Sequence, residues 1–167
     1  YCGWQVQPNG LAVQEVLNRC LSEFLGTETE VIGASRTDAG VHALGNVAVF
    51  DTDARMPAEK FSYALNTRLP QDIRIQDSCQ VPEDFHPRFQ ETIKTYEYKI
   101  HRSEDNVITI RIRGNGFLYN MVRIIAGTLI RVGGGYYPPE HVKEILEGKN
   151  RELAGETARP EGLTLVE

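Results

Sequence analysis

Apolar side chains fall in one stripe between residues 13 and 25, where Val13, Val16, Leu17, Cys20, Leu21, Phe24 and Leu25 recur three and four positions apart. That is the period of an amphipathic helix, and Gly26 supplies its stop. Two other segments alternate with a period of two, as a strand with one core face and one wet face does. In "KTYEYKI" (94–100) Lys94, Tyr96, Tyr98 and Ile100 share a face; in "VITIRIR" (107–113) Ile108, Ile110 and Ile112 oppose Thr109, Arg111 and Arg113. The runs "VIGA" (31–34), "NVAVF" (46–50) and "IRIQDSCQV" (73–81), and the tail "EGLTLVE", also read as strands. Helical spacing returns in residues 57–66, which open on Pro57 and carry Phe61, Ala64 and Leu65. It recurs in "FLYNMVRIIAGTLIRVG", through Val122, Ile125, Ala126 and Leu129, and in "EHVKEILEG", which follows Pro138 and Pro139 and ends at Gly148. Helices and strands do not alternate regularly. The expected class is therefore α+β, a mainly antiparallel sheet flanked by helices.

With 167 residues, 41% of them hydrophobic, the chain has enough apolar surface for one domain or for two small lobes sharing a core. No run approaches the roughly 20 apolar residues of a membrane span. The opening "YCGWQVQPNG" has neither the basic start nor the apolar centre of a secretory signal, so the expected location is the cytoplasm. Cys2, Cys20 and Cys79 are odd in number and far apart, which argues against a disulfide framework or a zinc knuckle. The net charge of −5 speaks against a nucleic-acid partner, but its distribution changes the picture. Residues 1–100 hold 9 basic and 14 acidic side chains, whereas residues 102–131 hold five arginines against only Glu104 and Asp105. A local basic face is compatible with an acidic chain.

Candidate chemistry concentrates in "SRTDAGVHALG" (35–45), which reads as a loop between two strands. Asp38 stands there beside small residues that let the backbone turn and a ligand approach closely, although a turn aspartate can equally bond its own backbone. His42 has no second ligand at metal spacing, and no G-x-S-x-G elbow supports a serine triad. Arg123 lies among apolar neighbours, where a charge is costly unless it snorkels or is paired, and Asp38 is the best candidate for its partner. Tyr96 on its strand is open to two readings, cross-strand packing or, beside Lys94, a platform for an unpaired base. "DFHPRF" (84–89) adds two aromatics, His86 and Arg88 in one turn.

Taken in order, "YCGWQVQPN", "ASRTDAGVHALG", "NTRLPQDI", "DFHPRF", "KTYEYKI", "FLYNMVRIIAGTLIRVG" and "EGLTLV" closely resemble the tRNA pseudouridine synthase A (TruA) family over nearly the whole chain. The resemblance implies an isomerase that converts uridine to pseudouridine in tRNA without cofactor or metal, about positions 38 to 40 of the anticodon stem-loop in bacterial members. By motif, Asp38 matches the catalytic aspartate and Tyr96 the tyrosine that stacks on the target base. Arg36 and Arg123 match the basic groups around that aspartate, and Leu163 the leucine lining the pocket. His42, Arg88, Lys94, Arg111 and Arg113 are further candidates for RNA contact. The implied fold has two similar lobes, and the implied assembly is a homodimer.

Two departures accompany the match. The chain begins at "YCGW", where family members have a preceding strand. "KTYEYKI" also runs directly into "HRSEDNVITI", with several dozen family residues absent between Ile100 and His101. The expected division is an N-terminal lobe of residues 1–100, carrying Asp38 and Tyr96, and a C-terminal lobe of residues 101–167, with a further segment between them outside this numbering. An intact mass near 18.8 kDa would sink that last expectation. The rival reading is a tRNA-binding or tRNA-folding protein that keeps the fold without turnover.

Overall fold

The computed structural model describes residues 1–103 and 106–167. Glu104 and Asp105, the two acids counted in the arginine-rich segment, lie outside the described residues. The elements in chain order are α1 (Val13–Leu25), β1 (Ile32–Gly33), β2 (His42–Ala43), β3 (Ala48–Val49), α2 (Phe61–Asn66), β4 (Lys94–Ser103), β5 (Asn106–Gly114), α3 (Met121–Gly133), α4 (His141–Gly148) and β6 (Leu163–Leu165). They divide into two compact units. The first comprises Tyr1–Gly40 and Asn46–Glu91, the second Val41–Gly45 and Thr92–Glu167.

In the first unit the apolar stripe of α1 buries Val16, Leu17, Cys20 and Leu21, and Gly26 closes the helix by donating its N–H to Ser22 O. Leu17, Cys20 and Leu21 form a core with Trp4, Val31 and Leu65, edged by Phe24, Phe50, Ile73 and Ile75. Phe61 of α2 meets Phe24 and Phe50 edge to face. β1 and β3 pair antiparallel, Ile32 with Val49, as the two β-branched runs predict. Residues 73–81 form no strand, against expectation. The side-chain amide of Asn66 takes both backbone groups of Ile75, accepting from its N–H and donating to its carbonyl at 2.8 Å each. Ile75 therefore reaches the core edge with its backbone groups satisfied by a side chain, and Ile73 with its N–H bonded to Pro70 O at 3.1 Å, rather than by a neighbouring strand.

The second unit is a four-stranded sheet in the order β2-β6-β4-β5, with α3 packed on it. β4 and β5 make an antiparallel hairpin from Lys94↔Gly114 to Ser103↔Asn106, and β4 runs unbroken through Ile100 and His101. β6 pairs antiparallel with the other side of β4. β2, inside the stretch that reads as a loop, pairs parallel with β6, so that stretch is not wholly irregular. The core holds Tyr98, Val122, Ala126 and Leu163, with Tyr96, Ile110 and Ile112 against it. The alternation of β5 holds from Thr109 to Gly114, whereas its first residues, including Ile108 at 48%, are exposed. At the end of α4 Lys149, not Gly148, adopts the left-handed conformation, its N–H capping Ile145 O. Among the described residues no helix is long and apolar enough to cross a membrane.

One ion pair of this unit sets a pH dependence. His141 at the start of α4 contacts Glu144 Oε2 through Nδ1 and Leu153 O through Nε2, each at 2.9 Å. Both partners are acceptors, so only the imidazolium serves both, and the hydrogen bond to Glu144 is the main cause of the raised His141 pKa. A raised folded-state pKa gives stability that is fully present below the unfolded value of about 6.5 and fades as pH rises through the folded value. His141→Gln is therefore expected to lower Tm at pH 5.5 and to match the parent protein at pH 9, in paired thermal melts.

Candidate active site

The acidic loop is held from two sides within the first unit. At its entry Asn46 accepts from Ser35 N–H and donates to Ser35 O, both at 3.1 Å, which fixes the backbone just before Arg36. The N-terminal stretch supports the next residues, with Trp4 N–H donating to Thr37 O at 3.1 Å and Gly40 N–H to Tyr1 O at 3.4 Å. Gly3 lies against the backbone of Thr37 to Ala39 at φ +78°, where a Cβ would stand 2.6 Å from Thr37 O. Only glycine accommodates both that angle and that contact. Asp38 is half-buried, and Arg36 is exposed. Sequence reading missed these supports: Asn46 carries no chemical signature, and Gly3 beside Trp4 in "YCGW" was the one available signal.

Arg88 sits in the "DFHPRF" turn, and its Nε donates to Gly33 O at 2.9 Å, tying the turn to β1. His86 stacks on Phe89 in the same turn, ring centroids 4.1 Å apart. The guanidinium of Arg88 thus serves the fold at least through its Nε.

In the second unit Tyr96 occupies the middle of the sheet, opposite Leu165 on β6 and Ile112 on β5. Its ring is half-buried and meets Phe117 edge to face at 5.3 Å. Both the packing role and an aromatic face are therefore present at this residue. Arg123, one turn into α3, donates from Nε to Ala158 O at 2.8 Å and from Nη1 to Asn120 Oδ1 at 3.0 Å. Ala158 N–H returns a bond to Arg123 O at 3.1 Å, so arginine and the 158 segment hold each other. These two oxygen acceptors offset part of the cost of placing the charge among apolar neighbours. Tyr98, next on the core face of β4, donates to Arg159 O at 3.0 Å; burial pushes its phenol pKa up, and the Arg123 charge opposes that shift.

The remaining candidates separate clearly. Leu163 is 4% exposed and packs with Tyr98, Val122 and Ala126. Arg111 is bound to Glu97, directly across the hairpin, through Nε at 2.9 Å, so much of its charge is balanced locally. Arg113, opposite Thr95, and His42, on β2 beside Thr164, are exposed; Lys94 is half-buried at the start of β4. Cys2, Cys20 and Cys79 are free thiols, and burial raises the Cys20 pKa.

A family model described as tRNA pseudouridine synthase matches this chain twice, over residues 1–90 and 91–167. The double match bears out two similar lobes, and its boundary falls beside the one between the compact units. The chain is 40% identical to the tRNA pseudouridine synthase A of Ruminiclostridium cellulolyticum, over all of this chain and 93% of that protein. Identity is 37% to the enzyme of the same name from Acetivibrio thermocellus and 38% to that of Citrifermentans bemidjiense, again over the whole chain. The first of these alignments spans 228 positions against 167 residues here, so that relative carries 61 positions that this chain lacks. With a family model covering both units and relatives near 40% identity along the full length, the chain belongs to the tRNA pseudouridine synthase family.

Proposed function

We propose that this chain isomerises uridine to pseudouridine in tRNA, about positions 38 to 40 of the anticodon stem-loop, by extruding the nucleotide from its stack. The observation that carries the reading is the Asp38 loop, a carboxylate set among small residues whose backbone is pinned at Ser35, Thr37 and Gly40. Pre-organisation of that kind is what a catalytic carboxylate requires. The C1′–N1 bond breaks, the uracil turns in place, C5 bonds to C1′, C5–H leaves as a proton and N1 gains one. Asp38 acts as the ionised group, by attack on the nucleoside or by removal of a sugar proton. Tyr96 stacks on the base, and Arg36 and Arg123 bear on the charged groups of the site. Leu163 lines the base pocket. His42, Lys94 and Arg113 serve the RNA backbone, and the enzyme works in the cytoplasm as a homodimer that needs no cofactor or metal.

The test is tritium release from tRNA labelled at uridine C5, since forming the new bond expels that hydrogen. Release in step with pseudouridine formation supports the reading. A second reading, tRNA binding without turnover, is favoured by the 61 positions absent from this chain, and binding with no release would establish it instead.

Gly3→Ala separates positioning from folding. Its Cβ meets Thr37 O and the left-handed angle costs roughly 1–2 kcal/mol, so the loop backbone must shift. A shift of an ångström costs about 100-fold in rate. The expected result is a kcat near 1% of the parent with tRNA affinity retained, measured by the same release assay.

A further inference from the structure

The stretch "NTRLPQDI" (66–73) runs along the core edge of the first unit, which it meets through Leu69 and Ile73. Its last residues form a turn closed by Ile73 N–H on Pro70 O at 3.1 Å, with Asp72 at the third position. The turn is mounted firmly, because Leu69 and Ile73 flank it in the core edge and the Asn66 amide holds Ile75 just beyond. Asp72 itself is exposed, and its Oδ1 accepts from the Tyr1 hydroxyl at 3.0 Å, across 71 positions of sequence. A carboxylate acceptor makes such a bond stronger than one between neutral groups.

We infer that Asp72 is a positioning residue for the Asp38 loop, acting through Tyr1. Residues 1–4 form a strap along that loop. The Tyr1 carbonyl accepts from Gly40 N–H at 3.4 Å, Gly3 lies against the backbone of Thr37 to Ala39, and Trp4 N–H donates to Thr37 O. The strap is fixed at Trp4, which is 5% exposed within the core, and at Cys2, whose N–H donates to Leu11 O at 2.8 Å. Tyr1 is 44% exposed, so burial does little to hold it, and the Asp72 bond fixes its side chain instead. Asp72 thereby sets the carbonyl that receives Gly40, two residues after Asp38, where φ is +77°. Losing the bond frees the Gly40 side of the loop while its entry, held by Asn46, stays in place. A reacting group tolerates little displacement, so the effect falls on the rate rather than on folding. This inference rests on Asp38 being the catalytic group of the proposed function.

Asp72→Ala, Tyr1→Phe and their double variant test it in the full chain by tritium release from C5-labelled tRNA. Each single substitution is expected to lower kcat roughly tenfold, the rate equivalent of one hydrogen bond, and the double variant no further, because both remove the same bond. KM and Tm are expected to stay near the parent values. Asp72→Asn, whose amide oxygen still accepts from the phenol, is expected to restore kcat to within about threefold of the parent. An unchanged kcat in Asp72→Ala overturns the inference, as do losses that multiply in the double variant or an Asp72→Asn as slow as Asp72→Ala. A fall in Tm at unchanged kcat makes the bond purely structural and overturns it too. Amide exchange at Gly40 reads the loop without turnover and is expected to quicken roughly tenfold in Asp72→Ala but not in Asp72→Asn. A parent chain that binds tRNA without release overturns the proposed activity, and Gly40 exchange then decides alone whether Asp72 holds the loop.

Discussion

Asp38→Asn is expected to abolish tritium release from C5-labelled tRNA, with the rate falling by roughly 10⁴-fold or more, the scale of removing a group that acts covalently or as an essential base. The substitution is nearly isosteric, and the loop backbone is held at Ser35 by the Asn46 side-chain amide, at Thr37 by Trp4 N–H and at Gly40 by Tyr1 O. Folding and tRNA affinity are therefore expected to stay within about threefold of the parent, less than 1 kcal/mol. Filter binding alongside the release assay checks both halves. Retained release in the variant would remove Asp38 from the chemistry, whereas lost release together with lost binding would make it a structural residue of the loop.

Gly127→Ala is expected to be the most destabilising single-methyl change in the second unit. In an isolated helix the substitution would stabilise by about 1 kcal/mol, because alanine is the better helix former. In α3, however, the added Cβ would overlap the carbonyl oxygen of Glu156, a backbone atom that no rotamer change can move. Thr128, the next residue, ties the same segment down by accepting from Gly155 N–H at 2.9 Å, and Ala158 is bonded to Arg123. Overpacking against a tethered backbone costs about 3 kcal/mol, so the net loss is about 2 kcal/mol. Urea unfolding monitored by helix content would show a lowered midpoint at unchanged slope. A raised midpoint would mean that the 155–158 segment yields freely.

The stripe of α1, the alternation of β4 and β5 and the spacing of α3 were legible because each depends on a period of 3.6 or 2 that burial imposes on one element. "IRIQDSCQV" carried the period of a strand, but the backbone groups of its Ile75 went to the Asn66 amide, a choice that no local pattern records. Within "SRTDAGVHALG" the motif marked the residues, yet the short strand at His42–Ala43 exists only because β6, over a hundred residues later, lies beside it.

For the candidate site the division is similar. By itself the sequence determined the family and the residue types: a carboxylate at 38, a tyrosine at 96, an arginine at 123. These follow from the order of motifs along the chain. Only the tertiary structure decided what holds them: Gly3 under the Asp38 loop, Asn46 at its entry, Asn120 and Ala158 around the Arg123 guanidinium, and Leu163 in the core. The physical reason is that a side chain's chemistry is local, whereas the satisfaction of its hydrogen bonds and the space around it are set by segments distant in sequence.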